Sequence, residues 1–277
     1  MTIPICIVTG ASSGIGLQTC IGLARQGRHV VMVARDATRT EAARRAVWQA
    51  VPEAKVDVLL ADFASLAAVR TLAATILQHY DRIDVLVNNA GLFSMKRTVT
   101  VDGYETTFAV NHLAPFLLTN LLLDRMKASG NARIVNVASI AHRRAYLEFD
   151  DLQSTRDYRW LKAYSRSKLA NILFTRELAR RLQGNAVTAN CLHPGIVATN
   201  IGRSGFVRIA MKLGRPFLIS PERGAQTSVY LATSPDVEGV SGEYFDKCQV
   251  ADTSAEAKDM QAAVRLWEIS AKMVGLD

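Results

Sequence analysis

Three glycines close the first strand-like run of this chain and open its first helix-like one. The run Ile3 to Val8 is apolar and rich in β-branched residues, and Thr9-Gly10-Ala11-Ser12-Ser13-Gly14-Ile15-Gly16 follows it. Glycine admits tight turns and the close approach of another backbone or a ligand. A helix that begins straight after such a turn offers unpaired N–H groups, and these attract phosphate oxygens. With a strand before and a helix after, the turn reads as the pyrophosphate site of a dinucleotide, built from Gly10, Ser12, Ser13, Gly14, Ile15 and Gly16.

The rest of the chain supplies a matching setting. Short apolar runs at Ile5–Thr9, His29–Ala34, Lys55–Leu60, Val85–Asn88, Arg133–Ala138, Val187–Leu192 and Glu243–Asp246 read as strands. Between and after them, helical spacing covers Ile15–Gln26, Arg39–Val51, Ala67–Tyr80, Gly103–Ser129, Trp160–Leu182, Glu222–Thr233 and Ala255–Met273. Several strand runs are almost continuously apolar, as strands covered on both faces are. Gly27 stands where a helix stop belongs. The alternation predicts a single α/β domain over residues 1–277, a doubly wound parallel sheet of about seven strands flanked by helices. Two longer irregular stretches, His142–Arg159 and Asn200–Ser220, are expected to wall and cover a substrate pocket.

Composition narrows the class. At 277 residues, 49% of them hydrophobic, the chain can bury a full core, which excludes wholesale disorder. A net charge of +8 suits an anionic partner (a phosphorylated cofactor, an acidic lipid surface or nucleic acid) or simply a solvated basic surface. The basic residues are dispersed, so no nucleic-acid partner is expected. Cys6, Cys20 and Cys191 sit in apolar patterns, and together with Cys248 they form no C-x-x-C pair. They read as buried small hydrophobes in a reducing compartment. The N-terminus carries neither a basic leader nor a cleavage site. The most apolar later run, Leu113 to Met126, is interrupted by Pro115, Asn120 and Asp124 and is too short to span a bilayer. A cytoplasmic protein without a transmembrane segment is expected.

Three motifs then specify a family. The turn has the form T-G-x-x-x-G-x-G, Asn88-Asn89-Ala90-Gly91 follows the fourth strand, and Tyr164-Ser165-Arg166-Ser167-Lys168 lies in the long fifth helix. In this order they make the chain resemble the short-chain dehydrogenase/reductase family. The resemblance implies a Rossmann-type fold and hydride exchange between a nicotinamide cofactor and a carbonyl or alcohol. The chemistry agrees with it: Tyr164 and Lys168, four apart, share one helix face. A free tyrosine, with a pKa near ~10, is a poor base at neutral pH, and a nearby ammonium stabilises the phenolate. Tyr164 is therefore the expected acid/base. By resemblance, Lys168 also holds the nicotinamide ribose, Ser139 polarises the substrate oxygen, and Asn111 holds a water in a proton relay. Asn88, Asn89, Ala90 and Gly91 are expected to line the cofactor cleft, and Asp62-Phe63 to hold the adenine. Pro194 and Gly195, the amide of Val197 and the hydroxyl of Thr199 are expected to fix the nicotinamide face. His112, His142 and His193 have no metal-ligand company, so they read as structural or pocket-lining, and no metal is expected.

The end of the second strand addresses cofactor choice. An acid there reads a ribose 2′-OH, whereas an arginine accommodates a 2′-phosphate. The last strand residue is Ala34, followed by Arg35 and Asp36. Arg35 favours NADP over NAD, and Asp36 reads as a loop or helix-capping carboxylate. Within the family, Asn111-His112-Leu113, Asn171 after the Y-S-R-S-K motif, Gly224-Ala225-Gln226-Thr227 and Gly239-Val240-Ser241-Gly242 resemble the retinol-dehydrogenase-like branch. That implies a lipophilic aldehyde, ketone or alcohol, retinoid- or steroid-like, as the small-molecule partner. The basic, apolar 203–217 stretch is read as a lid, with contact to a membrane surface as the alternative. The rival to an enzyme is a cofactor-binding sensor or interaction protein on the same scaffold. Family members pair through the helices holding Asn111 and Tyr164, so the resemblance implies a homodimer or homotetramer.

Overall fold

The structure, a computed structural model, describes residues 3–195 and 219–276. Its strands are β1 (Ile5–Thr9), β2 (His29–Ala34), β3 (Val56–Leu60), β4 (Val85–Asn88), β5 (Arg133–Val137), β6 (Thr188–His193), β7 (Tyr244–Asp246) and β8 (Gln249–Val250). They form one sheet in the order β3-β2-β1-β4-β5-β6-β7-β8. All neighbours from β3 to β7 are parallel, and β8 folds back antiparallel on β7. The sheet is the expected doubly wound one with a short extra strand at its edge. Lys247 and Cys248, at φ 51° and 62°, make the turn into β8. Neither is the glycine or asparagine that usually announces such a hairpin.

The helices are α1 (Gly14–Ala24), α2 (Ala37–Ala50), α3 (Leu66–His79), α4 (Thr106–Ala128), α5 (Trp160–Arg181), α6 (Pro221–Thr233), α7 (Ala255–Lys258) and α8 (Met260–Val274). Gly27, at φ 69°, stops α1 as expected, its N–H donating to the Ala24 carbonyl at 2.9 Å. The last helical stretch is split because Asp259 caps α8, accepting the Ala262 N–H at 2.9 Å.

Alternate strand residues serve opposite faces. Cys6, Val8, Val30, Met32 and Val87 belong to a core shared with α1 and α2. Ile7, Val31, Val33, Leu86 and Cys191 belong to a larger core shared with α3, α4 and α5. Burial on both sides explains why these strands read as unbroken apolar runs. Cys6, Cys20 and Cys191 are buried and free.

Helix α4 fills nearly all of the span expected to be helical, Gly103–Ser129, with a change of winding that the sequence does not announce. The apolar run around Leu113 extends to 23 helical residues, long and apolar enough to cross a membrane, yet 78% of its most apolar window is buried inside the fold. It is a core helix. Its first turn is held by the buried Glu105 carboxylate, which accepts the N–H groups of Thr107 and Phe108 at 2.8 and 2.7 Å. Ala109–Leu113 then widens into a π turn. Pro115 follows, and a proline cannot donate to the carbonyl four residues earlier, which here is that of Asn111.

Helix α8 closes the groove between α4 and α5. The Trp267 ring lies 4.9 Å from Phe116 and 5.8 Å from Phe174, centroid to centroid. The Arg181 guanidinium sits 4.3 Å above the same indole. His112, buried beneath, bonds the Ser270 hydroxyl at 2.8 Å. Helix α8 thus covers part of the surface that α4 and α5 share.

Candidate active site

The C-terminal ends of β1, β4 and β5 open side by side where the strand order reverses between β1 and β4. Open α/β sheets bind ligands at such a point. Gly10 and Gly14 take φ 68° and 57°, which side chains resist. A Cβ on Gly10 would come within 2.8 Å of the Ala90 Cα, and one on Gly16 within 2.3 Å of the Gly10 carbonyl. Thr9 ties the two loops together: its Oγ1 accepts the N–H groups of Asn89 and Ala90, both at 3.0 Å. Asn89 returns a bond from Nδ2 to the Thr9 carbonyl at 2.8 Å. Ser13 precedes α1 in extended geometry with no side-chain cap, and it is exposed. The first N–H groups of α1 therefore face outward beside half-buried Ser12 and Ile15, which fits a pyrophosphate.

At the end of β2 the Arg35 side chain is 71% exposed, with its guanidinium 3.7 Å from the Asp62 carboxylate. Asp36 has other work: its carboxylate caps α2, accepting the Arg39 N–H at 2.9 Å. Asp62 accepts the Ala64 N–H at 3.0 Å. The Phe63 ring points into the core, leaving its backbone rather than its ring for an adenine.

The four chemical residues converge. Ser139 lies two residues beyond the end of β5, and its Oγ accepts the Ala141 N–H at 3.2 Å. It both caps the following turn and meets the Tyr164 hydroxyl. Lys168, only 4% exposed, donates from Nζ to the Val137 carbonyl at 2.8 Å. Asn111 is fully buried in the π turn, bonding the Leu92 N–H through Oδ1 at 2.8 Å. Its Nδ2 donates to the Leu92 carbonyl and to Ser167 Oγ, both at 2.9 Å. Gly91 is exposed between these groups: a Cβ there would lie 3.3 Å from Asn111 Oδ1 and 3.5 Å from Lys168 Nζ. A cofactor can reach the lysine because no side chain fills that gap.

Electrostatics differ from the simplest reading of Tyr164 and Lys168. The ammonium lies 5.7 Å from the tyrosine ring centre. Burial pushes the lysine down to about 8, and burial also raises the Tyr164 pKa, opposed by the Ser139 hydroxyl. Desolvation is the leading cause for both groups, because each charged form loses its water. The phenol is thus held protonated, the form that donates.

Several expectations are adjusted by position. Asn88 does not line the cleft. It is buried, and its Nδ2 donates to Thr119 Oγ1 at 2.9 Å and Asn136 Oδ1 at 2.8 Å. Pro194 and Gly195 follow β6, whereas Val197, Thr199 and almost all of the expected lid lie outside the described residues. Sequence reasoning missed Asn171, whose Nδ2 shares the Val137 carbonyl with Lys168 at 3.3 Å, and Arg166. Arg166 is 2% exposed and pairs with Glu148. It also bonds the Asp151 carbonyl and Ser154 Oγ, pinning the 145–155 wall against α5. A cation centred in a motif was the available signal.

Residues 4–206 match the family described as short chain dehydrogenase. The chain belongs to that family. This short-chain dehydrogenase is an oxidoreductase of a class that uses NAD or NADP. Human retinol dehydrogenase 14 is 48% identical to it over 288 residues, spanning 98% of this chain and 86% of its own. Human retinol dehydrogenase 13 is 45% identical over 279 residues, spanning 98% and 84%. Among solved structures, an uncharacterised protein from Mycobacterium paratuberculosis superposes with a TM-score of 0.80 at 34% identity, covering 98% of this chain and 93% of its own. The Pseudomonas aeruginosa RhlG/NADP active-site complex does so with a TM-score of 0.71 at 26% identity, covering 87% and 93%.

Proposed function

We propose that this short-chain dehydrogenase interconverts a lipophilic carbonyl compound and its alcohol with NADP(H), Tyr164 being the acid/base. The observation that carries the reading is the convergence of Tyr164, Ser139 and Lys168 beside the gap at Gly91. The nicotinamide, when bound, gives or takes the hydride. The chain's own residues do the rest. Gly10, Ser12, Ser13, Gly14, Ile15 and Gly16 hold the pyrophosphate, and Asn89, Ala90 and Gly91 line the cleft with Pro194 and Gly195. Asp62 and the Phe63 backbone take the adenine. Ser139 Oγ accepts the Ala141 N–H and still has its own proton to give, first to the Tyr164 oxygen and, with substrate bound, to the substrate oxygen. Tyr164, kept protonated by burial, gives its proton to that oxygen during reduction and recovers it during oxidation. Lys168 orients the ribose and stabilises the phenolate. Asn111, anchored to the Leu92 backbone, holds the water that resupplies the proton.

Two observations support the finer parts. Asp36 is engaged as a cap, so Arg35 is left to meet a 2′-phosphate. Phe93 stands edge-on to Tyr164 at 6.2 Å and packs on Trp160 at 5.2 Å, an apolar wall suited to a lipophilic substrate. The retinol dehydrogenases among the relatives point the same way. A cytoplasmic location belongs to the same reading.

The test is a screen of lipophilic aldehydes and alcohols with NADPH and NADH, followed by two variants. Tyr164→Phe should cut turnover by roughly 10²–10⁴-fold while NADPH still quenches protein fluorescence. Substantial remaining turnover refutes the assigned acid/base. Arg35→Ala should weaken NADPH much more than NADH, and an equal loss removes the phosphate argument.

A further inference from the structure

We propose that His142 is a positioning residue for Ser139, a role that rests on the function proposed above. The imidazole is fully buried three residues beyond the serine, inside the short turn that Ser139 caps. Its Nδ1 lies 2.7 Å from the Ser139 carbonyl. Its Nε2 receives the Ser254 backbone N–H at 3.3 Å. These two contacts fix the proton. A backbone N–H can only donate, so Nε2 must be the bare nitrogen, and the ring proton sits on Nδ1 and donates to Ser139. The Ser139 carbonyl also receives the His142 N–H at 3.1 Å, so the ring and backbone of one residue clamp it together.

The clamp acts where the geometry matters. Ser139 leaves β5 in extended conformation, and its Oγ must face Tyr164 while accepting from Ala141. Rotation of the Ser139–Ile140 peptide would swing the turn and, with it, that acceptor bond. Tyr244 packs edge-on against the imidazole at 5.1 Å and holds its plane. The surroundings also favour the neutral ring: burial first, then Arg143 and Arg176, lower its affinity for a second proton, with the Ser139 carbonyl and Glu256 opposing them. Ser254 immediately precedes α7, so the C-terminal segment takes part in aiming the serine.

Asparagine and glutamine separate the two contacts. His142→Asn places an amide nitrogen at the reach of Nδ1 and keeps the bond to Ser139, while His142→Gln reaches toward Ser254 and loses it. With decanal as substrate, the Gln variant should lose kcat on the order of 10–100-fold with KM for NADPH unchanged. The Asn variant should keep kcat within about threefold of the wild type. Long-range ¹H–¹⁵N spectra of the wild type should show His142 neutral and protonated on Nδ1. Equal losses in both variants, tracking only their Tm, would mean a packing role and overturn the proposal, as would an Nε2–H tautomer. A wild-type protein inactive on every carbonyl screened sinks the proposed function instead, and the spectra still decide the tautomer.

Discussion

Lys168→Met should make this protein more stable and useless as a catalyst. The ammonium is 4% exposed and has one acceptor, the Val137 carbonyl at 2.8 Å. Among the described residues no carboxylate pairs with it. Burial therefore lowers its pKa from 10.5 to about 8. At about 1.4 kcal/mol per tenfold, that gap opposes folding by about 3 kcal/mol. The sign follows from proton counting. Below about pH 8 the lysine is charged in both folded and unfolded chains, so the whole penalty applies. From about 8 to 10.5 the folded protein sheds its proton first, the unfolded chain binds more protons, and stability climbs. Above that range the penalty is gone. Methionine fills similar space without the charge, and an imperfect fit costs about 1 kcal/mol, leaving a gain of about 2 kcal/mol at pH 7. Urea unfolding of the cofactor-free wild type and variant at pH 7, 9 and 10.5 measures it. The variant should lead at pH 7, and the difference should close toward pH 10.5. A variant less stable at pH 7, or a gap that does not change with pH, would refute the reasoning. A residue that costs the fold stability is then one that its chemistry cannot spare.

Two further outcomes follow from the geometry. Asp36→Ala removes the cap on Arg39 N–H and should cost about 1 kcal/mol of stability in denaturant titrations, with the NADPH-to-NADH preference unmoved; a shifted preference would return Asp36 to the ribose. Because Trp267 and its neighbours fill the α4–α5 groove, light scattering should find no dimer pairing through that face. Cross-linking between copies across α4 and α5 would contradict this.

The strands and the order of motifs were legible because both rest on local pattern. Continuous β-branched runs such as His29–Ala34 can do little but form buried strands, and a glycine turn between strand and helix has few uses. Tyr164 and Lys168 were legible through their spacing together with the family resemblance, and Ser139 and Asn111 through the resemblance alone. What could not be read is what depends on distant partners. The four-residue spacing of Tyr164 and Lys168 fixes a shared face, but their proton affinities follow from how deeply the whole fold buries them. Asn88 looked like a cleft residue because its neighbours Asn89, Ala90 and Gly91 were expected to be, yet its partners Thr119 and Asn136 lie on other elements. His142 gains its meaning from Ser254, 112 residues away. A final helix was expected over Ala255–Met273, but where it docks depends on Phe116 and Phe174, distant partners that its own sequence does not name.

The widened turn at Ala109–Leu113 has an evolutionary implication. A π turn is a regular helix carrying one surplus residue. Removing that residue would restore smooth winding, and it would swing whatever precedes the deletion by about 100° around the helix axis. The Leu92 clasp on Asn111 would be lost. Drift toward a better-formed helix thus runs directly against upkeep of the crevice, and a lineage that kept the bulge kept it against the grain of its own backbone.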